Sequence, residues 1–82
     1  MEILTLSEQA KSFQPGFYQH YKGPEYAALR VVHHSETLEE LVLYKHLDDD
    51  SYWVRPLAMF LENVEVNGQI MPRFKYLRAT NE

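Results

Sequence analysis

The sequence predicts a mostly β domain, and three observations carry that prediction. From Gly16 onward the apolar residues fall in short, largely alternating runs of strand length. Gly, Pro, Asn and Asp stand mainly between those runs, with Pro72 the chief exception. One Trp, six Tyr and four Phe in 82 residues supply the large side chains that a short chain needs for a compact core. One domain is expected at this length. Residues 16–77 would form it, with residues 1–15 as an N-terminal helical extension and 78–82 as a tail.

Taken in order, Thr5-Leu6-Ser7-Glu8 fits a capping box, in which Thr5 caps a helix and Glu8 reaches back to it. Leu6, Ala10 and Phe13 follow at helical spacing, and Pro15-Gly16 ends a short helix over roughly 6–13. Phe17 to Tyr21 reads as the first strand, Lys22-Gly23-Pro24-Glu25 as a turn, and Tyr26 to His34 as the second strand. The polar stretch 35–40 bends the chain. Leu41 to Leu47 is apolar on both faces, which suits a central strand. Asp48-Asp49-Asp50-Ser51 is a turn before a fourth strand, Tyr52 to Arg55. Pro56 suits a helix start, where its missing N–H costs nothing. Leu57, Phe60, Leu61 and Val64 then form one helical stripe over about two turns. Asn67-Gly68 is a hairpin turn joining Val64–Val66 to a last strand, Ile70 to Tyr76, in which Pro72 marks an edge or a bulge. About five short strands, with a short helix before the last, suggest a small SH3-like barrel. An open α+β sheet covered by the helix is the alternative.

Composition narrows the function classes. The chain is 45% hydrophobic and 24% charged, with a formal net charge of −4 and a pI near 5.5. A basic nucleic-acid module is disfavoured. The absence of cysteine excludes disulfides, iron–sulfur clusters and thiolate zinc sites. No secretory leader, membrane span or lipidation signal is readable, so a cytoplasmic location is expected.

Four motifs stand in a fixed order: Gly16-x-Tyr18-x-His20-Tyr21-Lys22-Gly23-x-x-Tyr26, His34-Ser35-Glu36-Thr37-x-Glu39-x-x-Val42-x-Tyr44, Trp53-Val54-Arg55-Pro56-x-x-Met59-Phe60, and Pro72-Arg73-Phe74. Together they closely resemble a small bacterial family, domain of unknown function 1653, from Gly16 to about Phe74. The resemblance implies an SH3-like barrel and a bacterial or phage origin. It implies no established activity.

Strand alternation puts Tyr18, His20 and Lys22 on one face of the first strand, and Trp53 and Arg55 on one face of the fourth. A regular last strand would align Met71, Arg73 and Lys75. Arginine suits carboxylate or phosphate recognition and stacks on aromatic rings. Tyr18, His20, Tyr44, Trp53, Arg55 and Arg73 are therefore the candidate lining of a ligand-binding groove. The structural alternative has each arginine paired with Glu36, Glu39 or Glu62. His20, His34 and Glu36 together have the composition of a two-histidine, one-carboxylate metal site, though Glu36 could equally fix His34 or a backbone donor in the turn.

Asp48–Asp50 lacks the spacing of a calcium loop and reads as a solvated hairpin tip. Ser35 lacks a nucleophile elbow, and no Gly-rich phosphate loop occurs. The leading expectation is a binding module for a protein, a peptide or a small anionic ligand. The alternative is a small enzyme or metal-dependent catalyst using the His/Glu cluster. No resident cofactor, catalytic residue, nucleic-acid partner or membrane partner is called for.

Overall fold

The computed structural model describes residues 6–48 and 50–79. Its elements are α1 (Glu8–Lys11), β1 (Gly16–His20), β2 (Glu25–His33), β3 (Glu40–His46), β4 (Tyr52–Pro56), α2 (Leu57–Leu61), β5 (Asn63–Val66), β6 (Gln69–Pro72) and β7 (Phe74–Arg78). The fold is mostly β, as expected. An antiparallel five-stranded sheet has the order β4-β3-β2-β1-β7, and β5 and β6 form a separate two-stranded sheet.

No sheet closes into a barrel among the described residues: β4 and β7 are the two edges of the large sheet. The reason lies in the segment that precedes β7. Asn67 and Gly68 both take positive φ, and Val66 pairs with Gln69 across them, so β5 folds back on β6 in a two-residue hairpin. The predicted last strand is accordingly broken. β6 stops at Pro72, which has no N–H to donate, and β7 starts at Phe74. Between them the Arg73 N–H donates to the Glu62 carbonyl and the Arg73 carbonyl accepts from the Tyr21 N–H. Met71, Arg73 and Lys75 thus do not share one regular strand.

Both helices are shorter than their stripes predict. Ser7 caps α1, its hydroxyl accepting the Ala10 N–H, while Thr5 lies outside the described residues. α2 ends at Leu61, because Glu62 turns extended and the β-branched Val64 joins β5.

The cross-strand register defines the buried face. Tyr18 lies opposite Tyr26 and Tyr76, Ala28 opposite Tyr44, Val42 opposite Arg55, and His20 opposite Phe74. Residues directly opposite share a face. A bulge after Ala28 leaves Leu29 without a register partner and returns Val31 to that face, where it packs against the core. Ala10 of α1 and Leu57 and Phe60 of α2 cover this side, joining Tyr18, Ala28, Val42, Tyr44 and Phe74 in one core. At the rim of β1, a Cβ on Gly16 would collide with the Arg78 carbonyl oxygen and lie 2.9 Å from the Tyr76 ring.

Candidate functional site

Phe74 links the core to the candidate site. Its ring stacks on Phe60 of α2, centroids 4.2 Å apart and nearly parallel. Around it stand His20 at 4.9 Å edge-on, Tyr26 at 5.7 Å, and the Arg55 guanidinium, whose central carbon lies 5.6 Å from the ring centroid. The row continues through Tyr26 to His46 at 4.7 Å, and from His46 to Trp53 at 5.8 Å. Trp53 is oriented by its indole N–H, which donates to Ser51 Oγ at 2.9 Å. The result is an aromatic shelf running from His20 to the β4 edge, with Arg55 on it.

Arg55 is the unusual member. Its Nε is buried and has no hydrogen-bond partner, and the residue forms no ion pair among the described residues. Arg73 behaves differently. Its Nε and Nη2 donate to Glu62 Oε1 at 3.0 and 2.7 Å, locking the start of β7 to the end of α2. The strand-to-helix pairing considered for both arginines is thus made by Arg73 alone. A buried N–H without an acceptor is costly, which makes Arg55 the group with chemistry to spare.

His20 is held from two sides. Its Nδ1 accepts the Lys22 N–H at 3.1 Å, and Tyr21 and Phe74 pack on the ring. Partial burial, and then the positive charges of Arg55, Arg73 and Lys22, push its pKa below the ordinary histidine value. A neutral imidazole with Nδ1 accepting carries its proton on Nε2, which is then a donor.

The other candidates are placed as follows. Tyr18 and Tyr44 are 6% and 7% exposed and belong to the core beside the shelf, and Tyr18 also lines a cavity between α1 and Phe74. The Tyr18 hydroxyl donates to the Gln14 carbonyl at 2.6 Å, and burial, with Tyr76 beside it, pushes its pKa up to about 12. His20 and His34 are not brought together. His20 ends β1 beside the start of β2, whereas His34 follows the far end of that nine-residue strand. At about 3.3 Å per residue the separation is on the order of 30 Å. His34 organises its turn, with Nδ1 accepting the N–H groups of Glu36 and Thr37 at 3.1 and 3.3 Å. Among the described residues no three His, Asp or Glu side chains converge as a metal site requires.

Sequence reasoning missed Tyr26 and His46. His46 stands two residues after Tyr44 and so shares its face, but only the β2–β3 register reveals that Tyr26 lies opposite it. Open cavities lie near His20 and Phe74, away from the Trp53 end of the shelf. One of about 240 Å³ lies beside His20, Tyr21, Pro72 and Lys75, and another of about 320 Å³ lies between α1 and Phe74.

With this geometry in hand, comparison with known proteins decides the family. The pattern of the family described as "protein of unknown function (DUF1653)" matches residues 16–76, most of the chain. The chain belongs to the DUF1653 family. A crystal structure of a DUF1653 protein from Bordetella bronchiseptica is similar to it, with a TM-score of 0.79 and 33% identity, covering 89% of this chain and 97% of that one. No curated protein matches. The DUF1653 match begins at Gly16, the first residue of β1, so α1 stands before it. No helix among the described residues is long and apolar enough to cross a membrane.

Proposed function

We propose that this DUF1653 chain is a non-catalytic binding module that takes an anionic group, on a peptide or a small molecule, at Arg55 and His20. One observation carries the reading: Arg55 rests on the Phe74 ring with its Nε buried and unpartnered. An oxyanion accepting from that guanidinium would supply the missing acceptor with a charge-assisted hydrogen bond. The Nε2 N–H of His20 is a second donor beside it, and the shelf of Tyr26, His46 and Trp53 offers stacking area for the remainder of the ligand.

Trp53 is the only tryptophan, so its fluorescence reports on the shelf without a label. Titration with inorganic phosphate and with N-acetyl-glutamate amide should give saturable changes that weaken as salt rises. Arg55→Gln should reduce affinity for both at least tenfold while leaving the melting temperature near that of the parent. Anion-independent fluorescence, or an unchanged response in Arg55→Gln, would refute the proposal.

A further inference from the structure

The large sheet ends at β4, and that edge is both apolar and open. Tyr52, Trp53 and Val54 are 58%, 51% and 52% exposed. β3 pairs with one side of the strand from Leu41↔Pro56 to Lys45↔Tyr52 without a register shift, and among the described residues the other side carries no strand. An edge strand leaves alternate N–H and C=O groups unpaired, and proteins usually blunt such edges with lysine, proline, a bulge or a covering loop. β4 contains no lysine and no bulge, and its proline is the final residue.

The strand also has a direction in charge. Asp48 and Asp50 precede it, Asp50 lying 3.5 Å from the Lys45 ammonium of β3, while Arg55 lies near its end with the unpartnered Nε. A strand laid antiparallel on β4 would meet Arg55 with its N-terminal part and the aspartates with its C-terminal part. The residue opposite Arg55 shares a face with the one opposite Trp53, two positions later.

We propose that β4 receives an extended peptide as a sixth, antiparallel strand. Its pattern is an acidic residue opposite Arg55, an apolar residue opposite Trp53, and a basic residue toward the exposed Asp48. Main-chain bonds to the open edge supply affinity, and alternate side chains supply the selection, as in other strand-addition complexes. This rests on Arg55 being the anion site of the proposed function and names what carries the anion. A second copy of the chain fits less well. Self-pairing centred on Val54 would set Trp53 beside the partner's Arg55, and an indole gives the Nε–H no oxyanion.

The test uses the full chain, labelled with ¹⁵N, and the capped peptide Glu-Thr-Leu-Thr-Val-Lys. Companion peptides have the reversed sequence or carry N-methyl groups at alternate residues in either phase. The proposal expects slowed hydrogen exchange at alternate amides of 52–55. It also expects at least tenfold weaker binding of the reversed peptide and of one N-methylated phase. Equal binding of all four peptides would overturn strand addition while leaving anion capture standing. Loss of response to phosphate as well would overturn both. Concentration-dependent protection of β4 without peptide, together with exclusion of the peptide, would assign the edge to a second copy and overturn the proposal.

Discussion

Leu38 sits at φ +65° in the turn between β2 and β3, with its side chain exposed. An L-residue with a Cβ pays roughly 1–2 kcal/mol for that conformation, and glycine avoids most of it. Leu38→Gly should therefore raise stability by about 1 kcal/mol, visible as a melting temperature about 4–8 °C higher. A fall would mean that Leu38 makes a contact worth more than its backbone strain. At His20 the expectation concerns pH. Its folded pKa lies below the ordinary 6.5, so on acidification through that range the unfolded chain takes up a proton that the folded chain resists. Stability should fall as pH drops from about 6.5, until the lowered folded value is passed. Phosphate at Arg55 should offset the fall by favouring the imidazolium. Melting curves of the parent and His20→Gln across this range check both, since the variant should lose this part of the slope. Little of the difference between Arg55 and Arg73 was legible in the sequence. Both are arginines beside a proline, and which one reaches Glu62 depends on where the β5–β6 hairpin deposits the chain.

Elements written by local chemistry were legible, and those decided by remote pairing were not. β1 to β4 follow from alternation and turn residues, and Asn67-Gly68 yields its hairpin directly. The break at Arg73 does not follow from pattern, because it depends on Tyr21 and Glu62 meeting its backbone. α1 is another such case. Four residues cannot sustain a helix alone. Glu40 at the start of β3 holds it, accepting the Ser7 N–H at 2.8 Å and the Ser7 hydroxyl at 2.6 Å. Those bonds push the Glu40 pKa below its ordinary value, so this tie is present above about pH 4.5 and is lost as pH falls through the lowered folded pKa. Glu40→Ala should speed amide exchange in Ala10 and Lys11 while β2–β3 protection persists. Loss of protection throughout the sheet would instead make α1 part of the cooperative core.

For the whole molecule, the aromatic residues serve the core and the shelf through one shared side chain. A chain of this size is expected to hold roughly 4–12 kcal/mol of stability. Phe60 and Phe74 are 1% and 5% exposed, and truncating either to alanine would cost about 3–5 kcal/mol, a large part of that total. Leucine is the more informative substitution. Phe60→Leu and Phe74→Leu each remove one ring from the same stacked pair, and each should lower stability by about 1–3 kcal/mol. Only Phe74 also carries the Arg55 guanidinium. Losing that cation–π contact, worth about 0.5–1 kcal/mol at a partly exposed site, should weaken phosphate binding about two- to fivefold in Phe74→Leu and leave Phe60→Leu near the parent. Urea unfolding with Trp53 fluorescence gives the stabilities, and phosphate titration of the folded variants gives the affinities. Equal weakening in both would mean that the shelf responds only to general loosening of the core. Weakening in Phe74→Leu alone would show that the ring completing the core also positions the arginine above it.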